Sequence, residues 1–208
     1  MDLSEVLRFL SPPCCVACRS TCAGSSFLCG DCVGRLNAEP PVWGDPPPGL
    51  VQAVSSFSHE GVAASLLRAF KFGRMPGLCP LLAGFMAEHF VAAGAGSTVV
   101  PVPPAAMRRR FRGFDPAGLL ADGVCGHLGC DPPRHGVIRR LGRTRQRGRG
   151  RQERLRAPPE ILPAAALHGP VLLVDDVITT GATVTACAAA LERCGAGPIT
   201  ALSFTRRV

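Results

Sequence analysis

The stretch at 171–183 constrains the fold more than any other part of this chain; it reads Val-Leu-Leu-Val-Asp-Asp-Val-Ile-Thr-Thr-Gly-Ala-Thr. Its four leading apolar residues predict a strand buried on both faces, which is typical of a parallel sheet covered by helices. Two carboxylates, Asp175 and Asp176, follow, and a Thr/Gly turn leads into an Ala-rich helix. Ligands of open α/β sheets bind outside the carboxyl ends of strands, so this turn is a candidate binding site.

The residue types of the turn indicate two different groups on one ligand. The amides and hydroxyls of 179–183 suit a phosphate dianion at a helix N-terminus, and Gly181 allows a close backbone approach. Asp175 and Asp176 suit hydroxyl groups, or hydroxyls shared with a divalent cation. A phosphate and a diol together describe a ribose 5-phosphate. The alternative, a generic strand–turn–helix with Asp capping, explains one Asp and one Thr, and a P-loop is excluded here because G-x4-G-K-[ST] does not occur.

From Leu50 onward the chain alternates between strand-like and helix-like segments, which predicts an α/β fold with a parallel sheet. Predicted strands cover 51–57, 98–102, 137–141, 171–174 and 199–204, and predicted helices cover 62–72, 78–93, 116–128 and 182–194, with Asp115 a plausible N-cap of the third. Residues 37–49 contain five prolines and predict a semi-rigid linker. We therefore expect a Cys-rich module at 1–36, the linker at 37–49 and one domain at 50–208.

Two C-x2-C pairs with ten residues between them predict a tetrahedral zinc site formed by Cys15, Cys18, Cys29 and Cys32. Four thiolates leave no position for water, so the zinc is expected to be structural and to supply most of the module's stability. Cys14 and Cys22 are additional thiols that could replace a ligand or stay free. The alternative is a set of buried or redox-labile thiols.

The net charge of +8 lies in one segment. Residues 139–156 hold nine Arg and one acid, whereas the rest of the chain holds 14 basic and 14 acidic residues. This pattern indicates a local anion site or a single basic arm and argues against a broad nucleic-acid-binding face. The sequence contains no continuous run of about 18 apolar residues, so we expect no membrane span. The acidic start at 1–5 lacks the basic region of a signal peptide, so we expect a cytoplasmic protein.

The stretch at 171–183 resembles the phosphoribosyl-pyrophosphate (PRPP) motif of type I phosphoribosyltransferases, in which two acids and T-T-G-x-T follow an apolar strand. The resemblance implies the type I phosphoribosyltransferase-like parallel sheet flanked by helices. It also implies that Asp175 and Asp176 hold the ribose 2′- and 3′-hydroxyls. The 5′-phosphate would be held by Thr179, Thr180, Gly181, Ala182 and Thr183, and Mg²⁺ would be carried mainly by PRPP itself.

A four-cysteine module ahead of such a domain resembles the ComF family of ComFC/GntX-like proteins. The elements that agree are Phe70-Lys71-Phe72, Val100-Pro101-Val102-Pro103 with Arg112-Gly113-Phe114-Asp115, Gln146-x-Gly148 with Glu153-Arg154, and Ser203-Phe204-Thr205. The chain departs from the family pattern at Asp115 and Ala157, where the family has Asn, and at Arg149, where it has Leu.

The resemblance implies catalytic roles for Asp175, Asp176 and Arg112, with Arg112 on the pyrophosphate side. In type I enzymes a flexible loop closes over the site, and the Arg-rich segment has the corresponding chain position. Its family-matched loop positions are Gln146, Gly148, Arg149, Glu153 and Arg154. For any single Arg, a solvated surface charge is the alternative.

The function that the ComF resemblance implies is PRPP binding in DNA uptake or natural transformation, with PRPP, single-stranded DNA and the DNA-uptake machinery as partners. Two alternatives stay open: an active phosphoribosyltransferase with an unknown acceptor, and a non-catalytic PRPP sensor. The chain has ten Phe, one Trp and no Tyr, so contacts to the phosphate backbone are expected to dominate DNA binding.

Overall fold

The central sheet of the protein is mixed and mostly parallel. The computed structural model describes residues 14–22, 26–90, 96–105, 111, 113–141 and 158–207. In chain order the strands are β1 (Val42–Trp43), β2 (Gln52–Ser58), β3 (Thr98–Pro101), β4 (Ile138–Arg140), β5 (Ile161–Pro163), β6 (Gly169–Ile178) and β7 (Ala196–Arg206). The central sheet has the order β1-β2-β7-β6-β3, and only β1 runs antiparallel to its neighbour; β4 and β5 form a separate antiparallel ribbon.

Helices connect and cover these strands: α1 (Gly30–Ala38), α2 (Gly61–Lys71), α3 (Cys79–Phe90), α4 (Pro116–Leu128) and α5 (Ala182–Arg193). A single 3-10 turn, Pro76–Leu78, precedes α3. The predicted helices and strands from residue 50 onward are confirmed within a few residues where the structure describes them, and Asp115 is the N-cap residue of α4. Among the described helices, none is both long enough and apolar enough to cross a bilayer.

Strand β6 is longer than the apolar run predicts. The sequence suggests that the strand ends before the two acids, but the ladder continues through Asp175 and Asp176 to Ile178. The reason is β7, which extends alongside it and pairs Asp175 with Ser203 and Ile178 with Arg206. The acids are therefore part of the sheet rather than of the loop that follows.

The apolar residues of the sheet form two layers, one on each face. Leu172 and Val174 of β6 pack with α2, α3 and α4, whereas Val171 and Leu173 pack with α5 and the β4–β5 ribbon. This division follows from the alternation of side chains along a strand. Because both faces are covered, β6 can be apolar throughout its first half.

The cysteine-rich segment shares the core of the sheet domain. Leu28 and Leu36 are buried in the same apolar cluster as residues of α2 and α3. The Pro-rich segment places β1 at the edge of the sheet, a position that tolerates proline neighbours. Arg206 at the end of β7 donates from Nη2 to the carbonyl of Asp45, 3.1 Å away.

Candidate functional site

The carboxyl ends of four parallel strands meet along one edge of the sheet, and the two acids lie at that edge. The backbone of β6 is held there from both sides. Val102 donates its N–H to the carbonyl of Val174 at 2.8 Å, and Asp175 is paired with Ser203 on the other side. Both neighbours fix the direction in which the acidic side chains leave the strand.

Asp176 forms an ion pair with Lys71, the last residue of α2. The Nζ–Oδ1 distance is 2.7 Å, and the two side chains are only 13% and 10% exposed. Burial of both partners removes much of the water that would screen this pair. The contact therefore ties the end of α2 to the diacid and keeps one oxygen of Asp176 in place.

Asp175 lies on the opposite face of β6, towards α5, because successive side chains alternate. Its Oδ1 accepts a hydrogen bond from the backbone N–H of Asp176 at 2.8 Å. Burial, and then the negative charge of Asp176, raise the pKa of Asp175 well above its usual range, although Lys71 opposes the shift. A ligand that offers hydroxyl donors or brings a cation would relieve the cost of this buried charge.

The turn after β6 has the conformation that an anion site at a helix N-terminus requires. Gly181, the N-cap of α5, has a φ of 76°, a left-handed conformation that favours glycine. A Cβ at this position would lie 2.9 Å from Cγ of Pro47. The first amides of α5 have no acceptor within the helix, and they point out of its N-terminus.

A cavity of about 350 Å³ brings most of the predicted binding residues together, within the size range of small-ligand sites. Asp175, Asp176, Thr179 and Thr183 line it, while Gly181 and Ala182 form the adjoining small concavity of the turn. Thr180 is exposed. The wall of the cavity therefore combines the two acids with threonine hydroxyls, next to the turn that begins α5.

Several predicted residues lie outside the part of the chain that the structure describes: Arg112, Gln146, Gly148, Arg149, Glu153 and Arg154. The described flanks of the Arg-rich segment meet in the β4–β5 ribbon, where Leu141 donates its N–H to the carbonyl of Glu160 at 3.0 Å. Arg140 of this ribbon lines the diacid cavity. The segment therefore leaves and rejoins the described fold beside the candidate site.

Lys71 is a site residue that the sequence motifs do not identify, because they mark it only as the middle position of Phe70-Lys71-Phe72. One signal could have identified it: it is the only lysine in a chain with 22 arginines. Arg207 also lines the cavity and has no comparable signal, because it follows the last strand without any motif.

The four cysteines of the two C-x2-C pairs form a cluster at the start of the fold. The Sγ atoms of Cys15, Cys18, Cys29 and Cys32 all lie within 4.8 Å of one another, and those of Cys18 and Cys29 are 3.5 Å apart. Tetrahedral zinc with bonds of about 2.3 Å places its sulfur ligands roughly 3.8 Å apart. The cluster therefore fits a structural metal such as zinc.

The pKa values of Cys15 and Cys32 in this cluster are shifted in opposite directions. Burial acts to raise the pKa of Cys15, but backbone hydrogen bonds, those of Cys18 and Cys29 foremost, outweigh it and lower the pKa to about 6. Burial raises the pKa of Cys32, and neighbouring thiols raise it further. A divalent metal would remove this conflict by deprotonating all four thiols. Of the two additional cysteines, Cys22 is buried and Cys14 is exposed.

The chain is similar to two curated proteins, both named DNA utilization protein YhgH. It is 28% identical over 195 residues to the protein from Salmonella typhimurium strain LT2, and 29% identical over 196 residues to that from Salmonella typhi. Each alignment covers 89% of this chain and 80% of the relative. No family model matches the chain.

Proposed function

We propose that this protein binds PRPP, as its magnesium complex, in the diacid cavity and acts in the cytoplasm in DNA uptake. The observation that carries the proposal is the placement of Asp175, Asp176, Thr179 and Thr183 around one cavity. The two acids can accept hydrogen bonds from hydroxyl groups, and the threonines lie at a helix N-terminus, which attracts a phosphate. Ribose 5-phosphate carries both groups on one sugar, and bound Mg²⁺ would neutralise the pyrophosphate.

Lys71 would position the diacid for this ligand. Its ion pair fixes Oδ1 of Asp176, so the carboxylate does not need to be ordered when the sugar binds. Asp175 is costly to ionise in the empty site, and ribose hydroxyls would offset that cost. Arg140 and Arg207 contribute positive charge to the cavity wall, which favours an anionic ligand.

The DNA role rests on the similarity to proteins named for DNA utilization. Contact with single-stranded DNA would use the Arg-rich segment, because this segment holds the whole net charge of the chain. We further propose that zinc occupies the four-cysteine cluster and stabilises the fold around α1.

A second candidate function, phosphoribosyl transfer with release of pyrophosphate, is favoured by one observation. A further cavity, of about 620 Å³, shares Lys71, Val177, Thr179 and Arg207 with the diacid cavity. An acceptor in that space would lie directly beside the sugar. Pyrophosphate release from PRPP on addition of candidate acceptors distinguishes a transferase from a PRPP-binding sensor.

The proposal is tested by titrating PRPP into the zinc-loaded protein by calorimetry, with and without Mg²⁺. We expect Mg²⁺-dependent binding that is lost in Asp176→Asn and weakened in Thr183→Val. Asp122→Asn is the matched control, since Asp122 is exposed on α4 and pairs with His135. Equal PRPP affinity in wild type and Asp176→Asn would refute the assigned site.

A further inference from the structure

The cavity of about 620 Å³ beside the diacid site has a composition of its own. It lies between the end of α2, the end of β2 and the residue after β7, and four of its wall residues also line the diacid cavity. His59, Arg68, Phe72 and Phe111 line this cavity but not the diacid cavity. A ligand here could therefore bind next to the sugar site without occupying it.

This cavity is electropositive. The described residues that line it include no Asp or Glu, whereas Arg68, Lys71 and Arg207 are all present. Lys71 is paired with Asp176, whereas Arg68 and Arg207 form no ion pair with an acid among the residues that the structure describes. Burial first, and then Arg207 and the other two cations, lower the pKa of His59, which is therefore a neutral imidazole at physiological pH. The cavity suits an anion.

The same cavity presents two exposed aromatic rings. Phe72 and Phe111 are 65% and 71% exposed, more than any other large apolar side chain in the described chain. Phe111 is held by Arg74, which donates from Nη2 to the Phe111 carbonyl at 2.8 Å and stacks its guanidinium 5.3 Å from the ring centroid. A ring fixed in this way offers a flat surface at little entropic cost, as base stacking requires.

The polar wall is also preorganised. Nδ1 of His59 is 2.8 Å from the hydroxyl of Thr205, and the neighbouring Ser203 and Ser55 hydroxyls are linked at 2.6 Å inside the sheet. The three residues that carry these hydroxyls are fully buried. The imidazole is thus held in one orientation and can exchange a single hydrogen bond with a ligand.

From these features we propose that this cavity is a nucleotide-binding site. The base would stack on Phe72 and Phe111, the phosphate would contact Arg68 and Arg207, and His59 would hydrogen-bond the base or sugar. A cavity wall that offers both aromatic rings and arginines suits a ligand with a planar ring and a negative charge. A nucleotide has both, whereas a simple anion lacks the ring and an apolar ligand lacks the charge. This site would add a nucleotide contact to the proposed DNA role. Only the choice of deoxynucleotides as ligands rests on that proposed function.

The test is calorimetry of the zinc-loaded full chain without PRPP, using deoxyadenosine 5′-monophosphate (dAMP) and a short oligodeoxyadenylate as probes. Arg68→Gln and Phe72→Ala are each expected to weaken binding about tenfold, the usual effect of losing a charged hydrogen bond or a stacking ring. The matched controls are Arg35→Gln, an exposed arginine of α1, and Trp43→Ala, an exposed aromatic of β1. Both controls should bind as wild type does.

The two probes distinguish a site for free nucleotides from a site for a DNA strand. Binding of dAMP that is lost in the cavity variants supports a site for free nucleotides, and binding of the oligomer alone, lost in the same variants, supports a site on a DNA strand. Equal affinity of wild type and both cavity variants for every probe overturns the proposal. So does the absence of binding to either probe.

The outcome is distinguishable from that of the PRPP proposal. Asp176→Asn should lose PRPP binding and keep dAMP binding, whereas Phe72→Ala should show the weakened dAMP binding and keep PRPP binding. PRPP binding without nucleotide binding refutes only the second site, and nucleotide binding without PRPP refutes only the first.

Discussion

Asp175 and Asp176 are neighbours in the chain with different electrostatic surroundings. Asp176 is paired with Lys71, whereas Asp175 lies on the other face of β6 and has its charge opposed by burial and by Asp176. A charged side chain at a binding site can lower the stability of the ligand-free protein because its charge is needed to bind the ligand. This contrast leads to two predictions about single side chains.

Replacement of Asp175 by Asn is expected to stabilise the protein and to weaken PRPP binding. The folded-state pKa of Asp175 is raised, so the wild type loses stability as the pH rises through the unfolded and then the folded pKa, and the variant does not. The melting temperature of Asp175→Asn should exceed that of wild type at pH 8, and the difference should shrink towards low pH, where both side chains are neutral. A variant less stable than wild type at pH 8 contradicts the electrostatic argument.

Replacement of Lys71 by Met is expected to destabilise the fold by about 1–3 kcal/mol, because it leaves the mostly buried Asp176 carboxylate without its partner. Urea denaturation measures this loss. Lys71→Met combined with Asp176→Asn should recover part of it, since no unpaired charge remains. Arg68→Met, one turn earlier on α2 and exposed, is the control and should change little; equal losses at both positions count against the ion pair.

At the scale of elements, the turn between β6 and α5 combines a positive φ with a close neighbour. A Cβ added at Gly181 would press on Pro47, so the Pro-rich segment leaves no room for a side chain at this position of the turn. The N-terminus of α5 is thereby aimed at the diacid cavity. A substitution that changes only the backbone preference tests this arrangement.

Gly181→Ala is expected to cost roughly 1–2 kcal/mol, because alanine is strained in the left-handed region and its Cβ would press on Pro47. PRPP affinity should fall with it. Gly126→Ala is the control: this glycine lies within α4, has open space around an added Cβ, and should be neutral or slightly stabilising. Thermal unfolding measures the change in stability, and calorimetry measures the change in PRPP affinity. Equal stability and equal PRPP affinity of the two variants would disprove the role of the turn.

The cysteine cluster supplies the second prediction at this scale. Cys18→Ser should remove bound zinc and loosen α1, because three thiolates hold a structural zinc less tightly than four. Cys14→Ser should retain both, since Cys14 is not among the four clustered thiols. Metal content by emission spectrometry and hydrogen exchange of α1 report the difference. Equal zinc content in both variants is the result that excludes the proposed ligand set.

At the scale of the whole molecule, the distribution of charge matters more than its sum. The described residues on either side of the undescribed part of the Arg-rich segment meet in the β4–β5 ribbon, and Arg140 of this ribbon lines the diacid cavity. Electrostatic binding of DNA has a characteristic dependence on salt.

Binding of single-stranded DNA is expected to weaken steeply as salt increases. Arg149→Gln combined with Arg151→Gln should lower the slope of log affinity against log salt by about 0.7 for each phosphate that the protein no longer neutralises. The control pair, Arg35→Gln with Arg134→Gln, removes the same charge from two exposed positions outside the segment. Fluorescence anisotropy at several salt concentrations measures both, and identical slopes would mean that the segment does not bind DNA.

The local features of this protein follow from short stretches of its sequence. The apolar run at 171–174, the Thr/Gly turn and the α/β alternation are short-range patterns, and the structure has each within a few residues of its predicted place. The C-x2-C spacing likewise anticipated the cysteine cluster, because two ligands separated by two residues converge without help from the rest of the chain.

The contacts that these local features make with one another depend on residues that are far apart in the chain. The extension of β6 through the two acids requires β7, the pairing of Asp176 requires α2 to end at Lys71, and the shared core of the cysteine module requires α2 and α3. The second cavity gathers residues from 59 to 207 and has no signature in the sequence. Packing in three dimensions sets such arrangements, and local propensity does not encode them.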